Sequence, residues 1–174
     1  MTPIEISIEP PLSAEARAVT MRYFDDLVSR YHGRPATPEE IADVDASYPS
    51  ELLQAPSGLL LLARRGAEVL GCAGMRFVTD TEPAADAGLD ASARVRLGEV
   101  TRVFVDGSAR GLGVARLLMA ELETQARSLG LAALRLDTRS DLVEARGLYA
   151  AVGFTEGAAH NDDPYAEHWF RKEL

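Results

Sequence analysis

The fold is decided by the stretch Gly98-Glu-Val-Thr-Arg-Val-Phe-Val-Asp-Gly-Ser-Ala-Arg-Gly-Leu-Gly-Val-Ala-Arg116. Val100, Val103, Phe104 and Val105 form an apolar pattern typical of a β-strand. A short polar turn follows, and after it a glycine-containing helix start, Arg110 to Ala115. Such a helix start presents free backbone N–H groups and the positive end of the helix dipole, where phosphates bind. Glycines permit close approach of a pyrophosphate, and Arg110 and Arg116 add positive charge. The stretch therefore predicts a site for a phosphorylated ligand.

Two common nucleotide sites fit this stretch poorly. A nucleoside triphosphate loop needs a lysine after its last glycine, and the only lysine of the chain is Lys172. A dinucleotide fingerprint needs three glycines and an acidic residue ending the next strand. Gly111, Gly113 and Asp137 satisfy part of that pattern, but Arg116 occupies the place of the third glycine. Only 37 residues follow Asp137, too few for a second mononucleotide-binding half. The dinucleotide reading stays as a weak alternative.

The third candidate ligand is the pyrophosphate of coenzyme A. Arg110-Gly-Leu-Gly-Val-Ala115 resembles the R/Q-x-x-G-x-G/A pattern of the GNAT N-acetyltransferase superfamily. Leu148-Tyr-Ala-Ala-Val-Gly-Phe154 resembles the L-Y-x-x-x-G-F signature of the same superfamily, in the expected order and at about the expected separation. The preceding strand, Glu99 to Val105, is similar to its fourth strand. The resemblance covers residues 59–174 well and the N-terminal third loosely.

The order of elements agrees with this resemblance. Alternating Ile4, Ile6 and Ile8 predict an opening strand, and Ser13 and Thr37 are typical caps of two following helices. Further predicted elements are strands at 59–63, 69–78 and 98–105, a helix ending at Gly130, a strand at 132–136, a helix from Asp141 to Val152, and a hairpin pairing a strand near Phe154 with 166–172. That helix before Gly130 is predicted to bury Leu112, Ala115, Leu118, Leu122, Ala126 and Leu129.

These elements imply a fold and a domain organisation. The resemblance implies the α/β (α+β) GNAT fold, a mixed twisted central sheet of six to seven strands with helices on both faces. The 174 residues form one predicted domain, residues 1–174. Residues 79–97 are rich in Ala, Asp and Glu without periodicity, and are predicted to be a surface loop.

The resemblance also implies which residues hold acetyl-CoA. The backbone of the fourth strand, splayed from the fifth, pairs with the pantetheine arm in this family. Arg116 is either a phosphate ligand or a solvent-facing helix residue, and Thr138 stands where the family commonly has asparagine. The implied cofactor-binding residues are Val103, Phe104, Val105, Arg110, Gly111, Leu112, Gly113, Val114, Ala115, Arg116 and Thr138.

Two side chains are implied as catalytic. In many family members the tyrosine matching Tyr149 protonates the thiolate that leaves the thioester, for which a phenol is a suitable acid. A glutamate at the position of Glu99 acts as general base in many members, often through water. Tyr149 as a core residue and Glu99 as a surface carboxylate or an amine-binding anion remain alternative interpretations. Asp137 and Thr138 end the fifth strand, where family members often hold the cofactor arm or the substrate.

The C-terminal segment carries a second set of polar residues. Asn161-Asp-Asp-Pro-Tyr-Ala-Glu-His-Trp-Phe170 resembles the ending of a subset of bacterial GNAT proteins. His160 and His168 titrate near neutrality and are candidate bases, although a loop histidine and a strand histidine are the simpler interpretation. The three histidines and the acids show no metal-ligand spacing, so no metal is expected.

Composition bounds the remaining choices. A net charge of −9 argues against a general nucleic-acid surface and mildly favours cationic small molecules. The single cysteine, Cys72, allows no internal disulfide and is expected to be a buried, inert thiol. The sequence has no run of about 18 apolar residues, the length that a membrane span requires, so no span is predicted. The first residues lack a signal-peptide pattern, so a cytoplasmic location is expected.

The predicted function is therefore acetyl-CoA-dependent N-acetylation of a primary amine by direct attack in a ternary complex. The setting of Cys72 disfavours an acyl-enzyme route. A catalytically silent acyl-CoA-binding or regulatory module on the same fold is the alternative from a different class. The sequence does not decide whether the acceptor is a small-molecule amine or a peptide amine. It also leaves both a monomer and a homodimer as alternatives. Acidic residues on the first helices, Asp25, Asp26, Glu39 and Glu40, either attract cations or form a solvated face.

Overall fold

A computed structural model describes residues 2–80 and 96–174. Its strands and helices, in chain order, are β1 (Glu5–Ile8), α1 (Ala14–His32), α2 (Pro38–Ser47), β2 (Gly58–Arg65), β3 (Glu68–Thr79), β4 (Arg96–Val105), α3 (Val114–Ser128), β5 (Ala133–Thr138), α4 (Val143–Ala151), β6 (Thr155–Gly157) and β7 (His168–Glu173). Short 3₁₀ turns lie at Ser50–Leu53 and Gly107–Ala109. The predicted loop at 79–97 falls mostly on 81–95, which lie outside the described residues.

The strands form one seven-stranded sheet in the order β1-β2-β3-β4-β5-β7-β6. Every neighbouring pair is antiparallel except β4 and β5, which run parallel. The C-terminal hairpin is confirmed, and its strand β7 lies between β5 and β6. The predicted mixed sheet with helices on both faces is therefore confirmed.

The core divides between the two faces of this sheet because β2 is apolar on both. Leu60 and Leu62 pack with Ala16 and Val19 of α1. The alternate residues of β2 belong to the opposite cluster, which contains Leu118 of α3. Successive side chains of a strand point to opposite faces, so a continuous apolar run is what a doubly covered central strand requires.

The N-terminal helices begin where their caps predict. The Ser13 side chain accepts a hydrogen bond from the Ala16 N–H at 3.2 Å. Thr37 and Glu40 exchange hydrogen bonds in a capping box, Thr37 Oγ1 accepting from Glu40 N at 3.3 Å and Glu40 Oε2 from Thr37 N at 2.9 Å. The first backbone N–H groups of a helix have no acceptor within the helix, and these reciprocal bonds provide one. The helix α2 therefore begins at Pro38.

Two expectations for the later helices were wrong. Leu112 and Leu129 are 49% and 40% exposed, because α3 spans Val114–Ser128 and its buried stripe starts at Val114. The next helix begins at Val143 without a side-chain cap, not at Asp141. The Asp141 carboxylate is bound instead by the Arg139 guanidinium at 2.7 and 2.8 Å, a contact that removes it from the capping position.

Candidate active site

The sheet opens between its two parallel strands. Leu97–Glu99 of β4 pair with Ala133–Arg135 of β5, and the register ends there. Beyond Glu99 no described strand pairs with the β5-facing edge of β4, while β4 continues to Val105. An unpaired strand edge carries backbone N–H and C=O groups that another extended chain can bind. The expected splay of the fourth strand from the fifth is thus present.

A cavity of about 1090 Å³ occupies this opening. Its walls come from α1, α2, β4, the start of α3, the end of β5 and α4. Of the predicted site residues, only Leu112 does not line it, and that side chain is half exposed outside the cavity. The predicted residues that line it are Glu99, Val103, Phe104, Val105, Arg110, Gly111, Gly113, Val114, Ala115, Arg116, Thr138 and Tyr149.

One end of the cavity is the glycine turn before α3. Gly111 and Gly113 adopt φ values of 82° and 78°, a left-handed conformation that side-chain-bearing residues rarely adopt. Within the described residues, the backbone N–H groups of Gly111 and of 113–116 donate no hydrogen bond. A helix start with free donors and open space beside both glycines fits a pyrophosphate.

Arg110 and Arg116 flank this turn. The Arg110 guanidinium makes two long contacts, to the Val105 carbonyl and to the Asp26 carboxylate, both at 3.4 Å. Arg116 is exposed and lines the cavity. Both arginines therefore remain able to reach an anion at the turn.

Tyr149 stands further along the cavity wall. Its ring packs against Phe154 and Phe170 at centroid distances of 6.1 and 5.8 Å, and the residue is 6% exposed. No residue in 2–80 or 96–174 hydrogen-bonds its hydroxyl. Burial raises the pKa of this phenol above its usual value. A neutral phenol with a free hydroxyl facing the cavity is suited to donate a proton.

Glu99 is held by arginines at the start of the opening. Its Oε2 accepts a hydrogen bond from Arg135 Nε at 3.1 Å and lies 3.0 Å from Arg135 Nη2, and its Oε1 lies 3.7 Å from Arg76 Nη1. Both carboxylate oxygens therefore face arginine side chains, and Glu99 is part of an ion-pair cluster at this point of the opening.

Asp137 is a second carboxylate in the cavity, and its environment differs. Its described hydrogen bond comes from Asn161 Nδ2 at 2.7 Å. Desolvation raises the pKa of Asp137, with a smaller opposing effect of the Asn161 hydrogen bond and further raising effects of Asp163 and Glu99. A carboxyl whose pKa is raised toward neutrality is a functional-site candidate.

The C-terminal segment explains how Asp137 is held. Asn161 Oδ1 accepts a hydrogen bond from Trp169 Nε1 at 2.9 Å, which orients the amide that donates to Asp137. Trp169 is also the cross-strand partner of Asp137. The sequence placed Asp137 at the end of the fifth strand, where family members often hold the cofactor arm or the substrate, but it did not predict a proton-transfer role. The Asn161-to-Phe170 pattern contains both Asn161 and Trp169 and is the signal that could have drawn attention to this contact.

The two candidate histidines lie away from the cavity, whereas Glu40, one of the acidic candidates on the first helices, lines it. His168 Nδ1 lies 2.5 Å from the Glu156 carboxylate and its Nε2 lies 3.0 Å from Ser140 Oγ. His160 Nε2 is buried without a hydrogen-bond partner among the described residues, and burial lowers its pKa. Neither histidine lines the cavity. Glu40 serves the capping box and an ion pair with Arg34 at 2.6 Å.

The remaining wall of the cavity was not predicted. Aromatic side chains from α1, the α2 end and the C-terminal loop face it, together with the buried Arg102 of β4. The aromatic residues are Tyr23, Phe24, Tyr31, Tyr48 and Tyr165. Nothing in the strand pattern around Arg102 distinguished it from an outward-facing arginine.

Neither a metal-ligand cluster nor a membrane-spanning helix is found among the described residues. No group of three or more His, Cys, Asp or Glu side chains in 2–80 and 96–174 is arranged to hold a metal ion. Among the helices of the same part of the chain, none has both the length and the apolar character that crossing a bilayer requires.

Comparisons with known proteins point to one family. The profile of the acetyltransferase (GNAT) family matches residues 21–154. An IAA acetyltransferase from Azospirillum brasilense is 32% identical over 135 residues, 78% of this chain and 71% of that protein. PaiA N-acetyltransferase from Thermoplasma acidophilum, solved in complex with coenzyme A, has a TM-score of 0.67 at 17% identity over 98% of this chain and 99% of its own. A GNAT-family acetyltransferase from Staphylococcus aureus Mu50 has a TM-score of 0.67 at 13% identity, with 99% of both chains covered.

Proposed function

Because this chain belongs to the GNAT family of acetyltransferases, with acetyl-CoA as co-substrate, we propose that it transfers the acetyl group to a primary amine by direct attack within a ternary complex. Family membership argues against the dinucleotide alternative, and the 32% identity to an acetyltransferase argues against a silent binding module. The observation that carries the proposal is the opening between β4 and β5, which joins the glycine turn, Tyr149 and Asp137 in one cavity.

The cofactor-binding part of the proposal rests on backbone groups. Acetyl-CoA supplies an acetyl group activated as a thioester. The free N–H groups of Gly111 and of 113–116 would receive its pyrophosphate, with Arg110 and Arg116 adding charge. The open edge of Val103–Val105 would hold the pantetheine arm in the manner of an added strand. Both groups lie on β4 and the turn that follows it, so a single segment positions the thioester.

An amine must lose a proton before or during attack, because only its neutral form is nucleophilic. Asp137 is the carboxylate that we assign to this step: it lines the cavity, its raised pKa favours proton uptake, and its one described donor is an amide. Glu99 remains the alternative assignment for this base. Its carboxylate already contacts Arg135 and Arg76, so we favour a role in neutralising the charge of these arginines. The proton moves from the amine nitrogen to a carboxylate oxygen, directly or through one water.

Tyr149 serves the other proton transfer. Its hydroxyl is free of hydrogen bonds within the described residues and its pKa is raised, so it is protonated at neutral pH. We assign Tyr149 Oη as the donor to the departing sulfur. The family's direct route is favoured over an acyl-enzyme, because Cys72 is fully buried and burial raises the pKa of its thiol to about 12.

The first experiment is thermal unfolding with acetyl-CoA, CoA or NAD. A ligand at a hundred times its Kd adds about 2.7 kcal/mol of stability, so acetyl-CoA and CoA are expected to raise Tm while NAD does not. Release of free thiol from acetyl-CoA is then followed with a panel of primary amines. A Tm unchanged by either CoA species, or binding without thiol release from any amine, would contradict the proposal.

A further inference from the structure

Arg102 is buried inside the sheet by an irregularity of β4. The register between β3 and β4 pairs Cys72 with Phe104 and Gly74 with Thr101, so Arg102 and Val103 together face one residue of β3. Arg102 has a φ of 55° and is 4% exposed. Bulges of this kind re-aim side chains and recur beside active sites. Here the bulge places an arginine on the wall of the cavity.

The guanidinium has only neutral partners. Nη1 donates to Ser50 Oγ at 2.8 Å, Nη2 donates to the Tyr48 carbonyl at 2.5 Å, and the group stacks over the Phe24 ring at 5.1 Å. No carboxylate in the described part of the chain lies within ion-pair distance of it. Asp45, whose charge acts on Arg102, is already bound in a bidentate pair by Arg17 at 2.9 Å.

A buried cation without a counter-ion is costly. Guanidinium has five N–H donors, and these contacts use two of its nitrogens. Two other arginines of low exposure are compensated: Arg139, on the cavity wall, is 8% exposed and bound by Asp141, and Arg135, outside the cavity, is bound by Glu99. Arg102 is therefore a buried arginine of the cavity without a carboxylate partner among the described residues, and a bound anion could neutralise its charge.

Tyr23 and Tyr48 connect this cation to the catalytic end of the cavity. The charges of both Arg102 and Asp137 act on the Tyr23 hydroxyl. Tyr48 accepts from Arg102 through its carbonyl and donates through its hydroxyl to Asp163 at 3.0 Å. Arg102 and Asp137 thus both line one cavity whose wall carries these tyrosines.

We infer that the acceptor is an amino carboxylate with an aromatic or comparably flat apolar body. Its carboxylate binds Arg102, its body lies against Tyr23, Phe24 and Tyr48, and its amine is presented toward Asp137. This inference rests on the proposed acetyl transfer for the identity of the reacting amine, whereas the carboxylate site itself is independent of it. Planar guanidinium matches a carboxylate with two parallel hydrogen bonds, and such charge-assisted bonds are strong in a desolvated site.

Equilibrium binding tests the carboxylate site without catalysis. Isothermal titration of the cofactor-free protein with N-acetyl-L-phenylalanine and with its primary amide compares two ligands that differ only at the carboxyl group. The carboxylate is expected to bind ten- to a hundredfold more tightly. Equal affinity, tighter binding of the amide, or no binding of either ligand would overturn the inference, even if thiol release from other amines supports the acetyl transfer.

Two variants locate the effect. Arg102→Gln is expected to reduce the carboxylate-to-amide affinity ratio to near one. Arg139→Gln, a matched control with a similarly buried arginine that already has a carboxylate partner, is expected to leave the ratio within about twofold of the wild type. If Arg102→Gln does not fold, Arg102→Lys is used, since it keeps the charge and loses the planar fork, and an intermediate ratio is expected. A wild-type ratio in a folded Arg102 variant would refute the assignment.

Kinetics separates this inference from the proposed function. Thiol release is measured with L-phenylalanine and phenethylamine, and the ratio of kcat/KM is compared within each protein. A preference for the amino acid of at least tenfold that is lost in Arg102→Gln supports the inference. Turnover of phenethylamine without that preference overturns it while leaving acetyl transfer intact. Selective carboxylate binding with no thiol release from any amine would instead overturn the proposed function.

Discussion

Asn161 donates a hydrogen bond of 2.7 Å to Asp137, across 24 residues of chain, and is itself held by the Trp169 indole at 2.9 Å. The amide favours the ionised carboxylate, whereas burial among apolar and acidic neighbours favours the protonated form, and burial has the larger effect on the pKa. The Asn161 amide therefore partly offsets the rise in the pKa of Asp137 that burial causes.

Removing that amide is predicted to shift the pH profile. Asn161→Ala deletes a donor that lowers the pKa of Asp137, so the folded-state pKa rises further. Since Asp137 acts when ionised, the acid limb of kcat/KM is expected to move to higher pH. Trp169→Phe is the control: it keeps the amide and loses only its orienting bond, and a smaller shift in the same direction is expected. An acid limb that does not move in Asn161→Ala would exclude Asp137 as the group seen in the profile.

The two carboxylates of the cavity are predicted to differ under substitution. Asp137→Asn is expected to lower kcat by about 10²- to 10⁴-fold, because the group assigned to proton transfer is lost. Glu99→Gln is expected to lower stability by about 1–3 kcal/mol, because it leaves the half-buried Arg135 without its carboxylate. Urea unfolding and steady-state kinetics of both variants check this. A larger loss of kcat in Glu99→Gln than in Asp137→Asn would indicate that Glu99 is the base.

Tyr149→Phe is predicted to separate catalysis from stability. The hydroxyl makes no hydrogen bond to the described residues, so its loss is expected to change Tm by only a degree or two. The ring contacts with Phe154 and Phe170 are kept. The loss of the proton donor is expected to reduce kcat by 10-fold or more with little effect on KM for acetyl-CoA. An unchanged kcat would make Tyr149 a core residue only.

Glycine-to-alanine substitution is predicted to have opposite effects on stability in the left-handed turn before α3 and in the middle of α4. Gly113→Ala is expected to cost about 1–2 kcal/mol through backbone strain, since a Cβ there meets no atom within 4 Å but φ is 78°. Gly147→Ala, in the exposed middle of α4 with equally open space, is expected to stabilise by about 0.5–1 kcal/mol. Chemical denaturation measures both values. Similar changes at the two positions would contradict the conformational explanation.

Cys72 is predicted to be unreactive in the native protein. The thiol is fully buried, and burial raises its pKa to about 12, so the thiolate is scarce at pH 8. An aromatic disulfide reagent is expected to label no thiol in buffer and one per chain in denaturant. Rapid labelling of native protein would contradict the burial of Cys72 and would add a background to every thiol-release assay.

Local patterns accounted for much of the fold. Ser13, Thr37 and the turn around Gly113 act within a few residues of themselves, so their caps and turns could be read from the sequence. Leu112, Leu129 and Asp141 were misassigned because apolar periodicity and capping preference alone do not set the ends of a helix or show which partner binds a carboxylate. A helix stripe shifts when the first turn starts two residues later, and a capping carboxylate is lost when a preceding arginine binds it.

The sequence by itself determined the glycine turn before α3, the tyrosine motif and the alternation of strands, because short-range backbone preferences and apolar periodicity encode each of them. The tertiary structure alone decided that Arg102 lies buried beside Ser50, 52 residues away, and that Asp137 meets Asn161. These contacts depend on a strand bulge and on a hairpin inserted beside β5. Such long-range juxtapositions leave no periodic trace in the chain, since they follow from packing among distant segments.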